Sequence, residues 1–227
     1  TLRLIKSMQK KRAFYTSHEA LHLHYEAALT RQCKHHHWYN LSTHLPWVGV
    51  RTNQTDGAHI EFLRGIHNPI GVKLGPNTTP DALLALLNKL NPCQKKGRIL
   101  LITRIGARCV QQVLPALIQV IQAHQLPVTW SCDPMHGNTE TTKAGIKTRH
   151  FNHIWHELEQ TYNIHQAHQS HLGGIHLELT PEPVTECLGG NNGPTEQDLN
   201  KAYKSLLDPR LNQAQALEIA DKFRKLI

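Results

Sequence analysis

Short apolar, β-branched runs recur along this chain near residues 14, 46, 70, 99, 128 and 175, and most of the gaps between them carry a helical period. Phe14-Tyr15-Thr16-Ser17 runs into His18-Glu19. Leu45 to Val50 ends in Arg51, and Ile70 to Pro76 contains Lys73. Arg98 to Arg104, the run from Val128, and Ile175 to Leu179 complete the set. Such runs, bounded by Gly, Pro or charge, predict buried strands. A helix is expected from Ala20 to Arg31, with Leu21, Tyr25, Ala28 and Leu29 on one face. Thr79-Pro80 reads as an N-cap with proline in the first turn, opening a helix from Asp81 to Leu90. Further helices are expected from Gly106 to about His124, kinked at Pro115, and from Phe151 to Ala167. Two more follow a capping box at Thr195 and Asp198, around 196–207 and 213–226. Residues 32–43 are polar and read as a loop, with His35-His36-His37 solvated.

Strands that alternate with helices build a parallel sheet with right-handed crossovers. Six βα units are visible, and 227 residues suit one α/β domain of barrel or doubly wound type, so residues 1–227 are read as a single domain. At 39% apolar and 19% charged residues the composition is ordinary, and no run of 18 apolar residues exists to span a membrane. Five scattered cysteines without a Cys-x-x-Cys argue for reduced thiols and a cytoplasmic location. The net charge of +8 admits nucleic acid as a partner. The basic residues are dispersed, however, with dense runs only at Lys10-Lys11-Arg12 and Lys95-Lys96, so small anionic substrates explain the charge at least as well.

The residues at which the strands stop carry the chemistry. They are His18 and Glu19, Arg51, Lys73, Arg104, Asp133 with His136, and Glu178. In parallel α/β folds the carboxyl ends of the strands meet at one face, where sites are built. Charges are costly to bury unless paired or bound, so six polar strand ends in succession are not a core pattern. Arg51, Lys73 and Arg104 together suggest a pocket for phosphate or carboxylate groups. After Val128-Thr129-Trp130-Ser131-Cys132 the chain breaks at Asp133-Pro134, and Met135-His136-Gly137-Asn138 follows. His136, Glu178 and, further on, Asp208 supply one imidazole and two carboxylates, a mixture suited to a divalent first-row ion. Spacing leaves two readings open: a hydrogen-bonded structural histidine beside solvated carboxylates, or a metal site.

At these residues the sequence resembles the class II (plant and microbial type) 3-deoxy-D-arabino-heptulosonate 7-phosphate synthases. The matching motifs are Tyr15-Thr16-Ser17-His18-Glu19-Ala20-Leu21, Asp56-Gly57-Ala58-His59-Ile60-Glu61-Phe62 and Asn68-Pro69-Ile70-Gly71-Val72-Lys73-Leu74-Gly75-Pro76. Thr103-Arg104-Ile105-Gly106, Cys132-Asp133-Pro134-Met135-His136-Gly137-Asn138-Thr139 and Lys147-Thr148-Arg149-His150-Phe151 continue it. Gly173 to Thr180, Thr185 to Gly190 and Asp208-Pro209-Arg210-Leu211-Asn212 complete it. The resemblance implies a (β/α)8 TIM barrel, of which this chain holds about six of the eight units. It implies condensation of phosphoenolpyruvate with erythrose 4-phosphate, the first step of the shikimate pathway toward chorismate and the aromatic amino acids. It carries metal binding onto His136, Glu178 and Asp208, with Mn²⁺ first and Co²⁺ second. It carries phosphoenolpyruvate binding onto Arg51, Lys73 and Arg104, and catalytic roles onto Lys73 and His136. No nucleic acid or membrane partner is implied, and a homo-oligomer is compatible with it.

Two departures stand out. The resemblance begins at what would be the third strand, so the family's fourth metal ligand, a cysteine, has no counterpart in the residues given. In Trp47-Val48-Gly49-Val50-Arg51, Val50 stands where the family carries a glutamate, and Asn53 replaces a usual arginine. These departures set a second reading beside the synthase: a truncated, non-catalytic remnant of such an enzyme.

Overall fold

A computed structural model describes residues 14–33 and 36–227. Lys10-Lys11-Arg12 and His35 lie outside the described residues. The strands are β1 (Ser17–Glu19), β2 (Thr30–Gln32), β3 (Trp38–Asn40), β4 (Leu45–Val48), β5 (Ile70–Leu74), β6 (Ile99–Thr103), β7 (Val128–Cys132), β8 (Thr139–Thr141), β9 (Lys147–Arg149) and β10 (Leu172–Ile175). The α-helices are α1 (Leu23–Ala28), α2 (Ala58–Gly65), α3 (Pro80–Leu90), α4 (Val110–Ala123), α5 (Phe151–Ala167) and α6 (Gln213–Leu226). A parallel sheet of six strands runs in the order β1-β4-β5-β6-β7-β10. Apart from the β2–β3 ribbon and the β8–β9 hairpin, strand and helix alternate as the hydrophobic pattern predicts.

The chain divides into two compact units. The first comprises Thr1–Lys73, Asp81–Leu101 and Leu126–Val128, the second Leu74–Pro80, Ile102–Gln125 and Thr129–Ile227. In the first, β1 pairs with β4 and β4 with β5, all parallel. Leu83, Leu86, Leu87 and Leu90 of α3 recur at the spacing of one helix face and are all buried. In the second, Val110, Leu114, Leu117, Ile118 and Ile121 form the buried face of α4. The helix runs through Pro115 because the carbonyl that loses its partner belongs to Gln111, which is exposed to water. β7 pairs with β10 in parallel.

Met135, Phe151, Ile154, Cys187, Leu211 and Ile219 form one buried cluster in the second unit, with Trp155 and Leu177 packed against it. Burying each large member stabilises by roughly 1.5–3 kcal/mol. Met135 precedes His136, Leu177 precedes Glu178, and Leu211 lies in the same segment as Asp208. One apolar cluster therefore anchors the three stretches that carry the candidate metal ligands.

Several expectations are corrected. The first strand is confined to Ser17–Glu19 and the following helix to Leu23–Ala28. The expected loop at 32–43 contains part of an antiparallel ribbon, Thr30–Gln32 against Trp38–Asn40. His36 is exposed there, and the His37 ring stacks on His67 with centroids 3.7 Å apart. The last strand is Leu172–Ile175, so Glu178 lies beyond its end. The expected helix at 196–207 is a 3₁₀ turn, Glu196–Lys201, opened by the expected capping box. No helix among the described residues is long and apolar enough to cross a membrane.

Candidate functional site

The site grows from the end of β7. The Asp133 backbone N–H donates to the Thr103 carbonyl at 2.7 Å, and the chain then turns through Pro134. The fully buried Asp133 carboxylate shapes that turn, its Oδ1 accepting from the N–H groups of Met135 at 3.0 Å and His136 at 3.2 Å. Its Oδ2 lies 2.7 Å from Nδ1 of the His136 ring. A carboxylate at Nδ1 keeps the proton on that nitrogen and turns Nε2 outward as the binding atom.

Two carboxylates face that Nε2. Glu178 Oε1 is 3.3 Å away and Asp208 Oδ2 3.6 Å away. Ligand atoms of His136, Glu178 and Asp208 all lie within 4.8 Å of one another, a group able to hold a metal ion. Burial alone would lower the His136 pKa. Hydrogen bonds to Asp133 and Glu178, with the charges of both, outweigh this and raise it to about 9. Burial pushes Glu178 upward, but His136 and Arg149 hold it below the usual carboxylate range. Asp208 is likewise held low by Lys147 and Arg149 against its burial. Without an ion the ring therefore keeps a proton on Nε2, facing two ionised carboxylates; a divalent first-row ion fits this donor set by taking the place of that proton.

The segments carrying the two carboxylates are tied together. Leu211 N–H donates to the Glu178 carbonyl at 3.0 Å, and Thr180 N–H to the Leu211 carbonyl at 2.9 Å. Glu186, fully buried, accepts from the N–H groups of Lys204 at 3.1 Å, Ser205 at 2.8 Å and Arg210 at 2.8 Å. The Arg210 guanidinium closes on the same carboxylate through Nε at 3.0 Å and Nη2 at 2.7 Å. A single carboxylate thus grips both ends of the loop that bears Asp208. Behind the cluster lies Arg149, fully buried, which donates to Glu178 Oε2 through Nη1.

A second buried carboxylate holds the turn after β6. Glu157 of α5 accepts from Ile105 N–H at 2.9 Å and Gly106 N–H at 2.8 Å through Oε1. Its Oε2 accepts from Asn138 Nδ2 at 2.6 Å, and Asn138 Oδ1 accepts from Ala107 N–H at 3.0 Å. Gly137 fits against this turn because it lacks a side chain; a Cβ there would sit 2.5 Å from the Gly106 nitrogen.

Of the expected cationic residues, Arg104 belongs to this unit and donates through Nη2 to the His136 carbonyl at 2.5 Å. Lys73 and Arg51 belong to the first unit. Lys73 is buried, its Nζ 4.9 Å from the centroid of the Trp47 ring, and its carbonyl accepts from Asn53 Nδ2 at 3.0 Å. Arg51 is exposed in the turn after β4. The sequence assigned no role to Arg149, Glu157 or Glu186. Arg149 and Glu186 do lie within two of the matching motifs, Lys147 to Phe151 and Thr185 to Gly190, but no role came with them.

The chain matches the class-II DAHP synthetase family over residues 3–223. It is 49% identical over 223 residues to the phospho-2-dehydro-3-deoxyheptonate aldolase of Neurospora crassa, an alignment covering 91% of this chain and 46% of that protein. It is 46% identical over 212 residues to the phospho-2-dehydro-3-deoxyheptonate aldolase AroG of Mycolicibacterium smegmatis, again covering 91% and 46%. The chain spans about half the length of the curated relatives it matches. Among solved structures, a truncated form of the 3-deoxy-D-arabino-heptulosonate 7-phosphate synthase from Thermotoga maritima aligns with a TM-score of 0.54 and 15% identity. That alignment covers 98% of this chain and 69% of the other. At this identity the likeness speaks for the fold, a TIM barrel represented here by six parallel strands and their helices.

Proposed function

Because this chain belongs to the class-II DAHP synthetase family, we propose that it is catalytic-domain sequence of a 3-deoxy-7-phosphoheptulonate synthase, condensing phosphoenolpyruvate with erythrose 4-phosphate. The observation that carries this reading is the convergence of His136, Glu178 and Asp208 within 4.8 Å. These three side chains hold a divalent ion, Mn²⁺ first and Co²⁺ second. Such an ion, when bound, supplies Lewis-acid polarisation of an aldehyde oxygen. Asp133 holds the His136 ring with Nε2 aimed at the cluster.

Arg51, Lys73 and Arg104 bind phosphoenolpyruvate. The guanidinium groups suit its phosphate and carboxylate as bidentate partners, while Lys73 offers a point charge steadied over the Trp47 ring. In the reaction the methylene carbon of phosphoenolpyruvate bonds to the aldehyde carbon of erythrose 4-phosphate. Water adds at the former enol carbon, and phosphate departs. The same reading places the protein in the cytoplasm, at the head of the shikimate pathway, and is compatible with a homo-oligomer.

A second reading, a non-catalytic remnant, is favoured by Val50. It leaves the Arg51 turn without the glutamate that the family resemblance implies, so no carboxylate at that position orders the attacking water. The deciding experiment supplies the protein, as the cell makes it, with Mn²⁺ and both substrates. Phosphate release is then followed together with loss of phosphoenolpyruvate. The synthase reading expects equimolar release that depends on erythrose 4-phosphate and disappears in His136→Ala. A folded protein that binds Mn²⁺ and phosphoenolpyruvate yet releases no phosphate establishes the remnant.

A further inference from the structure

Arg149 ends β9, paired in register with Thr139 of β8, and has no solvent exposure. A fully buried guanidinium must have its charge compensated and its N–H groups satisfied. Nε donates to Thr139 Oγ1 at 2.9 Å, and Nη1 donates to the Pro209 carbonyl at 2.5 Å and to Glu178 Oε2. Nη2 has no hydrogen-bond partner among the described residues. The acceptor it faces is Asp208 Oδ1, 3.9 Å away. That gap exceeds a hydrogen bond.

The oxygens divide in a consistent way. Glu178 turns Oε1 toward His136 Nε2 and Oε2 toward Arg149. Asp208 turns Oδ2 toward His136 Nε2 and Oδ1 toward Arg149 and Lys147, the latter at 2.5 Å. Each carboxylate therefore has one oxygen on the ion side and one on the guanidinium side. A carboxylate with both oxygens free can grip a cation through both, which fills coordination positions and suits large ions such as Ca²⁺. A carboxylate with one oxygen engaged offers a single donor.

We infer that Arg149 is a positioning residue that makes Glu178 and Asp208 one-oxygen ligands, and that it thereby sets both the strength and the ion preference of the cluster. The inference rests on the reading of His136, Glu178 and Asp208 as a metal site. With one oxygen of each carboxylate on the guanidinium side, His136, Glu178 and Asp208 would each offer an ion a single donor atom.

The sign of the effect separates this role from simple electrostatics. Removing a positive charge beside a cation site should tighten cation binding if charge were all that mattered. Removing a positioning group should weaken it, and loss of an outer partner of metal ligands typically costs about 10–100-fold in affinity. The test titrates the full chain with Mn²⁺ and with Ca²⁺ by calorimetry, for the unaltered protein and for Arg149→Lys, Arg149→Met and Thr139→Val. Circular dichroism first verifies folding at the titration temperature. Arg149→Lys keeps the charge but not the fork. Thr139→Val keeps the guanidinium but removes the Nε acceptor, and it carries the test if both Arg149 variants fail to fold.

Mn²⁺ affinity is expected to fall by about 10–100-fold in the Arg149 variants and by a smaller factor in Thr139→Val, with Ca²⁺ losing less than Mn²⁺ in every case. Unchanged or tighter Mn²⁺ binding in the folded variants overturns the role of Arg149 and leaves the metal site standing. Failure of the unaltered protein to bind Mn²⁺ overturns the metal site and this inference with it.

Discussion

Asp133 and His136 meet at 2.7 Å, Oδ2 to Nδ1, while the other oxygen of the same carboxylate receives the backbone N–H groups of the turn between them. One side chain thus shapes the turn and selects the imidazole tautomer. Asp133→Asn keeps an oxygen for the backbone but presents an amide N–H₂ to Nδ1. The ring proton must then move to Nε2, the atom an ion needs, as happens when a histidine-orienting aspartate is amidated in a catalytic triad. Mn²⁺ affinity is expected to drop by about 10–100-fold with little change in fold. Calorimetry giving equal affinities for the two proteins would falsify the role assigned to Asp133.

Glu157 is fully buried, and burial, helped by the nearby Asp133 charge, pushes it up to about 7, although the N–H groups of Gly106 and Ile105 and the Asn138 amide pull against this. A carboxyl raised in the folded state contributes stability that is complete below its unfolded value. That contribution is lost as the pH climbs through the folded value. Between about pH 4.5 and 7 it should weaken by something on the order of 3 kcal/mol. Glu157→Gln does not titrate, so urea midpoints compared across that window should show the unaltered protein losing ground to the variant. Parallel curves would contradict the assignment.

His165 behaves in the opposite sense. It is buried on α5, with Nδ1 2.9 Å from Ser170 Oγ, Nε2 without a partner among the described residues, and its ring edge-on to Trp130. Burial, reinforced by the charges of His171 and His168, lowers its pKa to about 4. The unfolded chain binds a proton at higher pH than the folded one, so stability is complete above about pH 6.5 and lost on acidification toward 4, by an amount on the order of 3 kcal/mol. In His165→Phe the acid-side loss should shrink by that amount. A variant with the same acid profile as the unaltered protein rules His165 out as its source.

Val50 offers a gain-of-function test. Loss of one positioned polar group at a reacting centre commonly costs about 10²–10³ in rate. The chain of residues 1–227 is accordingly expected to turn over below about 1 s⁻¹, the low end of ordinary enzymes. Val50→Glu should raise phosphate release measurably if the glutamate is what the Arg51 turn lacks. Turnover near that ordinary range without the substitution would show that another group does this work. Glu19 is the carboxylate to examine next, since it packs so closely on Gly49 that any Cβ there would strike it.

Where the chain was legible, burial made it so. Ile70–Leu74 is buried at every position and Ile99–Thr103 at nearly every one, so continuous apolar runs marked those strands to within two residues. β10 was displaced because its centre is Gly173-Gly174, which carries no side-chain signal, while the alternating Ile175 to Leu179 imitated a half-buried strand. The β2–β3 ribbon escaped notice because each strand is only three residues long, and Trp38 and Tyr39 are adjacent and set among polar neighbours rather than alternating along a run. At the site, His136, Glu178 and Asp208 were found through their motifs. Arg149 and Glu186 stood in motifs too, but their roles were not legible, because their partners lie far along the chain and a charged residue reads as solvated until its burial is known.

The grip of Glu186 on the Asp208 loop has an evolutionary corollary. Apart from Arg210, the groups it holds are main-chain N–H donors, which every residue except proline supplies. Leu206 and Leu207, between those anchors, are 98% and 82% exposed. The tip can therefore drift in sequence, or carry a fluorescent label, while the backbone keeps its path and Asp208 its aim. A reporter attached at position 206 would stand two residues from a candidate metal ligand, on a side chain that points into water.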